Sequence, residues 1–188
     1  MPFYQTKGLV SPKRHTVFKR SADSIFYEEL VSREGFSSIY SNLYHLKMPT
    51  RVSKLGKLYP FKIKKINDKH QARHIKTQNI PNDGDIVYDR IPLLFNDDVI
   101  IHKAHVNQSM DNFYRNAHFD EVIYIQSGSG DLFTNFGQIS IKMGDYIVIP
   151  RGVIWQLKVD NDIRCLVIES KSPIETPRRY RNNFGQLL

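Results

Sequence analysis

Cysteine and long apolar runs are scarce in this sequence. Its only cysteine is Cys165, which excludes an intramolecular disulfide and a multi-cysteine zinc site. A single thiol is typical of a reducing, cytoplasmic setting. The charged, proline-interrupted N-terminus has no apolar segment of a signal peptide, and no stretch approaches the ~20 apolar residues that a membrane-spanning helix needs. We therefore expect a cytoplasmic protein without a signal peptide or a membrane span.

The net charge of +8 is unevenly distributed along the 188 residues. Residues 1–80 contain 16 Lys and Arg against 5 Asp and Glu, residues 81–170 contain 7 against 13, and residues 171–188 contain 4 against 1. A clustered basic surface can bind nucleic acid, but no RRM, KH or zinc-finger pattern accompanies it, so a nucleic-acid partner is not expected. A solvated surface, an arm that docks on an acidic neighbour and a field that attracts a small anionic substrate stay open.

The length of the chain favours one domain with appendages over two domains. Residues 1–57 hold scattered aromatic side chains without sustained periodicity, so we interpret them as an extended N-terminal arm, with a short helix as a candidate over Phe26–Ser32. The β-rich body is predicted at residues 58–170. Residues 171–188 contain two prolines and three arginines but no core pattern, so they are interpreted as a linker or tail.

Apolar and polar residues alternate from Leu58 onwards, which is typical of a half-buried strand. Many short strands with glycine and asparagine between them, and little helix, favour an all-β sandwich or barrel. The further strand candidates are Ala72–Thr77, Val99–Val106, Glu121–Gln126, Leu132–Phe136, Gln138–Lys142, Tyr146–Ile149, Ile154–Val159 and Ile163–Ser170.

Two stretches of the body carry glycines at fixed spacings. Six residues separate Glu121 from Gly128, and five separate Gly144 from Pro150, which begins a Pro-x-Gly sequence ending at Gly152. The stretches resemble the two motifs of the cupin superfamily, H-x-H-(x)3–4-E-(x)6-G and G-(x)5-P-x-G-x-x-H. Glycine allows the positive φ of tight turns and proline restricts the exit from a strand, so these residues are interpreted as structural positions.

The resemblance to cupins implies an all-β fold. We expect a cupin barrel, that is a double-stranded β-helix or jelly roll, with its core at residues 113–170 and with the extended arm before it. Glu121 shares a strand face with Ile123 and Ile125. A carboxylate on an inward face needs a hydrogen-bonding or cationic partner, or must be protonated. Glu121 is therefore interpreted as a buried polar anchor.

The histidines that hold a metal in other cupins are absent from the matching positions. The resemblance places the first-motif histidines four to seven residues before Glu121, at Tyr114, Arg115, Asn116 and Ala117, and the second-motif histidine at Trp155. None of these is a good ligand for a borderline cation, and tryptophan cannot coordinate one. His118 could supply one ligand if its strand carried a bulge, which is too few for iron. We expect no metal site.

The other residue groups favour structural interpretations. His102 and His105 differ by an odd number, so on a strand they point to opposite faces. His70 and His74 are interpreted as exposed, and Cys165 as a buried small hydrophobe. The Gly128-Ser129-Gly130 sequence is interpreted as a β-turn, because no helix start follows it. No G-x-S-x-G sequence is present, and no nucleophile with an activating base is recognisable.

The whole chain also resembles the N-terminal half of the homogentisate 1,2-dioxygenases, in the bacterial branch of that family. This resemblance implies a bicupin enzyme that opens the ring of homogentisate with O2 and non-haem Fe(II), in tyrosine and phenylalanine breakdown. The stretches that carry it are MPFY, KRHT, FYEELV, GFSSIYSNLYH, MPT, MDNFYRNAHFDE, GDYIVIPRG, LVIES and PRRYRNNFGQLL.

The family resemblance implies that two histidines and a glutamate of a C-terminal barrel hold the iron. No ligand of that iron can be carried over to this chain, which alone is predicted to be inactive, with no catalytic, cofactor-binding or metal-binding residue. The expected partners are the catalytic cupin domain and the other subunits of a homo-oligomer, with a small aromatic carboxylate as substrate of the full enzyme. After Leu188 a linker into the catalytic barrel is expected, and whether the chain is a fragment or a natural truncation stays open.

A second hypothesis is a free-standing cupin that binds a small ligand without catalysis. In it, Glu121, Tyr124 and Trp155 would lie near a pocket. Saturable ligand binding by the lone chain would separate this hypothesis from a purely structural role.

Overall fold

The fold consists of β-strands and loops, which confirms the predicted all-β class. The part of the chain described contains eleven strands and one short 3-10 helix, Thr77–Asn79. No helix in this part is long and apolar enough to cross a membrane. The computed structural model describes residues 18–32, 35–36, 40–58, 63, 71–81, 83–177, 179–182 and 186–187.

Seven of the strands form one antiparallel sheet and the other four form two small hairpins. The hairpins are β1 with β2 and β3 with β4. The strands are β1 (Lys19–Ser21), β2 (Ser24–Ile25), β3 (Tyr27–Ser32), β4 (Tyr40–His45), β5 (Ile91–Phe95), β6 (Val99–Val106), β7 (Tyr114–Arg115), β8 (Asp120–Thr134), β9 (Gly137–Lys142), β10 (Tyr146–Ile149) and β11 (Ile154–Ser170).

Two long strands, β8 and β11, form the centre of the seven-stranded sheet. They pair from Trp155 opposite Thr134 to Ser170 opposite Asp120, with irregular register between Val159 and Cys165. The main path is β10-β8-β11-β6-β5, while β9 pairs with β8 and β7 with β11. β5 and β6 belong to this sheet although they precede the core predicted at residues 113–170, and the domain boundaries stay a prediction.

One apolar core lies on the buried face of the sheet. Both halves of β8 and β11 contribute to it, so the sheet must curve for their side chains to meet. Inward residues recur at every second position of these strands, which is the periodicity of a strand with one buried face. The core residues are Ile86, Ala104, Val106, Met110, Ile123, Ile125, Leu132, Ile141, Ile149, Val153, Trp155, Leu157, Ile163, Cys165 and Val167.

Gly128-Ser129-Gly130 lies inside β8, so the predicted β-turn is wrong. The glycines serve a close approach between strands instead. A Cβ atom on Gly128 would lie 2.2 Å from the carbonyl oxygen of Asp162, and one on Gly130 would lie 2.3 Å from that of Lys158. Because glycine has no Cβ, β8 can bend against β11 here without ending.

We expect Gly128→Ala to lower the free energy of unfolding by about 2–4 kcal/mol, because it adds a clash with backbone to an unfavourable φ. Gly144→Ala is the matched control. The φ angles are +90° and +92°, but a Cβ at Gly144 would meet nothing within 4 Å. Gly144→Ala should therefore lower the free energy of unfolding by only about 1 kcal/mol, which is the cost of the positive φ alone. Urea unfolding measures both, and equal losses would contradict the close-approach explanation.

Three further expectations about the chain before residue 91 need correction or lie outside the described part. The helix over Phe26–Ser32 is wrong, because Tyr27–Ser32 pairs with Tyr40–His45 as a hairpin. The strand over Ala72–Thr77 is also wrong, because the segment is largely exposed and has no strand conformation. The ammonium group of Lys103 fixes the C-terminal end of this segment, because it donates hydrogen bonds to the carbonyls of Thr77, at 2.7 Å, and Ile80. Of the strand expected from Leu58, residues 59–62 lie outside the described residues.

Candidate functional site

A group of polar side chains is buried at the end of the interior where β8 begins and β11 ends. Glu121 and Glu169 stand opposite each other in the pairing of these strands. His102 comes from the neighbouring strand β6, where Ala104 and Val106 share its buried face. Arg90, which directly precedes β5, and Asn116, which follows β7, complete what we call the Arg90 cluster.

Arg90 joins the two carboxylates of the cluster. Its Nη1 donates to Glu121 Oε1 at 2.8 Å and its Nη2 to Glu169 Oε1 at 3.1 Å. Glu169 also accepts from His102 Nε2 at 2.7 Å and from Asn116 Nδ2 at 2.6 Å. Buried charges of this kind are tolerated because their partners replace the lost water. The cluster thus links residues up to 79 positions apart in the sequence.

The two carboxyl groups of the cluster have opposite pKa shifts. Burial raises the pKa of Glu121, and the charge and hydrogen bond of Arg90 offset this only in part. Glu121 Oε2 has no hydrogen-bond partner among the described residues. Burial also acts to raise the pKa of Glu169, but His102, Arg90 and Asn116 outweigh it and leave that pKa below its ordinary range. Glu169 is therefore the better stabilised anion.

One aromatic side chain lies beside the guanidinium, and a second packs on the first. Arg90 Cζ lies 6.0 Å from the ring centroid of Tyr114. Tyr114 meets Trp155 edge to face, with 5.6 Å between centroids. Burial raises the pKa of the Tyr114 hydroxyl to about 12. Trp155 is fully buried, so it fills the interior beside the cluster with a ring instead of a ligand.

The residues present do not fit the iron that metal-binding cupins hold. Arg90 already supplies the positive charge at Glu121, and its N–H groups occupy an oxygen of each carboxylate. Asn116 is buried but donates to Glu169. His118 is exposed, so it does not join the cluster. Nowhere in the described ranges do three His, Cys, Asp or Glu residues form a group that could hold a metal ion.

The proline and glycine that end the second cupin motif lie in a turn beside a second buried carboxylate. Asp120 is fully buried and accepts from the backbone N–H of Arg151 at 3.1 Å, from Arg151 Nε at 2.9 Å and from the backbone N–H of Ile174 at 2.9 Å. The N–H of Gly152 donates to the carbonyl of Asn116 at 2.8 Å. Asp120 thus attaches the Pro150–Gly152 turn and the segment after β11 to the start of β8.

The histidine and cysteine predictions can be checked against the structure. His102 is buried while His105 faces outwards towards Asp83, so the prediction of opposite faces is confirmed. Cys165 is buried, as predicted, and burial raises the pKa of its thiol to about 12. His74 is exposed, and His70 lies outside the described residues.

Tyr124 does not share a pocket with Glu121 and Trp155. It lies on the opposite face of β8 and stacks on Tyr146, with 4.5 Å between ring centroids. Positions 121 and 124 differ by an odd number, so a regular strand separates them. The pocket that the second hypothesis places among these three residues is therefore not formed.

Sequence reasoning missed Arg90, His102 and Glu169 as members of the site. Glu169 follows Ile163, Cys165 and Val167 at a spacing of two, so an inward carboxylate at position 169 was recognisable from the alternation. The sequence around Arg90 has no comparable pattern, because Arg90 lies in a loop. Its contact with Glu121 depends on how the fold brings this loop next to β8.

The fold is all-β with one core, it keeps the spacings of both cupin motifs, and it has a buried polar group at the first-motif glutamate. These features define a cupin-type domain. Residues 91–178 match the family described as homogentisate 1,2-dioxygenase N-terminal. Through these residues the chain is similar to the N-terminal part of the homogentisate 1,2-dioxygenases, which confirms the resemblance found in the sequence.

Two curated relatives extend the match. A protein named "Putative dioxygenase" from Saccharolobus solfataricus is 40% identical over 190 residues, which cover 100% of this chain and 49% of that protein. The homogentisate 1,2-dioxygenase of Drosophila melanogaster is 38% identical over 71 residues, which cover 37% of this chain and 16% of that protein. The chain thus spans half or less of the length of these relatives.

Solved cupin structures are similar over part of the chain. A cupin-2 domain protein from Shewanella frigidimarina aligns with 44% of this chain and 80% of its own, at 19% identity and a TM-score of 0.40. A cupin protein from Bacteroides fragilis aligns with 60% of this chain and 92% of its own, at 17% identity and a TM-score of 0.43.

Proposed function

We propose that this chain supplies the metal-free, non-catalytic cupin domain of a cytoplasmic enzyme that cleaves the ring of homogentisate with Fe(II) and O2. The observation that carries the proposal is the Arg90 cluster, in which a guanidinium balances the carboxylate of the first cupin motif. The match of residues 91–178 to the N-terminal part of the homogentisate 1,2-dioxygenases supports the dioxygenase context. The chemistry is assigned to a second cupin domain that holds the iron.

A supporting role follows from what the interior can and cannot do. An Fe(II) oxygenase needs three protein ligands and open positions for substrate and O2. In this domain Arg90, Tyr114 and Trp155 occupy the corresponding part of the interior. The proposed contribution is therefore made by its surface, which would pack on the catalytic domain and on neighbouring subunits.

The apolar surface of β9 and β10 is a suitable region for such packing. Ile139, Tyr146 and Val148 are exposed there, at 54%, 71% and 48% of their full accessibility. An exposed apolar group of this kind is typical of a contact surface in larger assemblies. This supports packing in general and does not identify the partner.

The test is iron binding and oxygen uptake by the purified 188-residue chain. After anaerobic loading with Fe(II) and desalting, we expect far less than one iron per chain by elemental analysis. An oxygen electrode should record no homogentisate-dependent uptake above that of free Fe(II) at the same concentration. Stoichiometric iron retention together with homogentisate-dependent uptake would overturn the assignment of the chemistry to another domain. Saturable binding of homogentisate without uptake would favour the ligand-binding hypothesis instead.

A further inference from the structure

A polar cleft lies on the outer face of the sheet, on the other side of β6 and β11 from the Arg90 cluster. Its volume is about 550 Å³. The floor is formed by β6, β8 and β11, and the segment around the 3-10 helix forms one wall. The polar residues that line it are Thr77, Gln78, Asp83, Lys103, His105, Gln126, Ser127 and Arg164.

Two positive side chains converge on this cleft because of the strand register. Arg164 of β11 pairs with His105 of β6, and Lys103 lies two residues further along β6, on the same face. Residues in this diagonal relation are close enough for long side chains to interact. The pKa of Lys103 is lowered, first by burial and then by the charge of Arg164. The two cations therefore repel each other across the cleft.

Two acidic side chains contact His105, the partner of Arg164 in the register. Asp83, which lines the cleft, places Oδ1 2.5 Å from His105 Nδ1, and Asp162 places Oδ2 3.6 Å from His105 Nε2. Lys103 donates to the carbonyls of Thr77 and Ile80, which are neutral. Within the described ranges, the guanidinium of Arg164 has no hydrogen bond or ion pair. The cleft thus holds two cations and one carboxylate, Asp83, whose charge acts on Lys103 and leaves Arg164 as the cation available to an anion.

A strand irregularity adds a further polar side chain at the same place. Arg164 pairs with Ser127, and the next residue, Cys165, pairs with Ile125, so Gln126 has no partner on β11. Such bulges redirect side chains and are common beside functional sites. The amide of Gln126 and the hydroxyl of Ser127 both line the cleft, where they could donate hydrogen bonds to an anion.

We propose that the cleft binds a small oxyanion, a carboxylate or a phosphate, between the guanidinium of Arg164 and the ammonium group of Lys103. A guanidinium presents parallel N–H groups that match two oxygens of either anion. The polar lining favours a compact, hydrophilic ligand over an aromatic one. The site needs no metal and lies outside the Arg90 cluster, so it does not depend on the proposed dioxygenase role.

The test is a titration of the full chain, followed by two-dimensional NMR of the backbone amides. Inorganic phosphate and acetate are added separately, with sodium chloride at matched ionic strength as the reference. We expect saturable shifts at Gln126, Ser127 and Ala104, with a dissociation constant in the millimolar range or tighter. The stronger of the two anions identifies the ligand class, and saturation by either supports the site.

Variants of Arg164 decide whether the shifts report this cleft. Arg164→Gln should weaken binding by at least about tenfold, and Arg164→Lys should retain part of the affinity. Arg20→Gln is the control, since it removes the same charge from an exposed position on β1. Shifts that do not saturate with either anion, or that persist unchanged in Arg164→Gln, would overturn the proposal. An equal loss in Arg20→Gln would also overturn it, because net charge alone would then explain the binding.

Discussion

Arg90→Met is expected to lower the free energy of unfolding by about 3–5 kcal/mol, because it leaves two buried carboxylates without their shared cation. Glu121 is fully buried and Glu169 is 5% exposed, so water cannot replace the lost guanidinium. Methionine preserves much of the length and apolar volume of arginine, which limits the cavity. Urea unfolding followed by circular dichroism measures the change.

Two further variants test the charge-balancing role of Arg90 even if Arg90→Met does not fold. Combining Arg90→Met with Glu121→Gln and Glu169→Gln removes the unpaired charges and should recover at least half of the loss, since replacing a whole buried charge group is far less costly than breaking it. Arg115→Met removes an exposed arginine from β7 and should change stability by no more than about 0.5 kcal/mol. A loss below about 1 kcal/mol for Arg90→Met would contradict the charge-balancing role.

Trp155→His, which restores the histidine of the second cupin motif, is expected to destabilise the domain by about 3–5 kcal/mol without creating an iron site. The indole is fully buried and packs against Tyr114, so the smaller imidazole leaves space and adds a polar group to the interior. Arg90 would still neutralise Glu121. Urea unfolding measures the stability, and elemental analysis after anaerobic loading measures bound Fe(II).

Trp155→Phe is the matched control for this substitution. It keeps an apolar ring beside Tyr114 and should cost only about 1–2 kcal/mol. If Trp155→His retained one Fe(II) per chain, the interpretation that Arg90 and its aromatic neighbours exclude a metal would be wrong. If Trp155→Phe cost as much as Trp155→His, the polarity of the histidine would have no part in the loss.

The Arg90 cluster also shows which residues take the place of the missing motif histidines around Glu121. Glu121 keeps its place in the first cupin motif, but it now takes its positive partner from Arg90 instead of a metal ion. Asn116 stands at one of the positions before Glu121 and donates to Glu169. Both residues thus connect neighbouring strands of the sheet. The hydrogen bonds of the cluster therefore stabilise the pairing of these strands.

Much of the sheet was predictable because its strands follow simple alternation. Val99–Val106 and Tyr146–Ile149 have the bounds that the sequence predicts. The segments that were predicted wrongly share a physical cause, which is contact with residues distant in the sequence. Tyr27–Ser32 forms a strand because it pairs with Tyr40–His45, and this partner overrides the local preference for a helix. Gly128 and Gly130 do not end β8, because their small size serves an approach to β11 that only the packed sheet creates.

The sequence by itself determined the all-β class, the family resemblance and the inward position of Glu121, because alternation and motif spacing are properties of neighbouring residues. It also determined that Trp155 stands where a metal ligand would be. Only the tertiary structure decided which cation balances Glu121, because Arg90 lies in a loop 31 residues away and reaches the site through the fold. The same holds for the cleft at Arg164, since its two cations meet only through the register of β6 and β11.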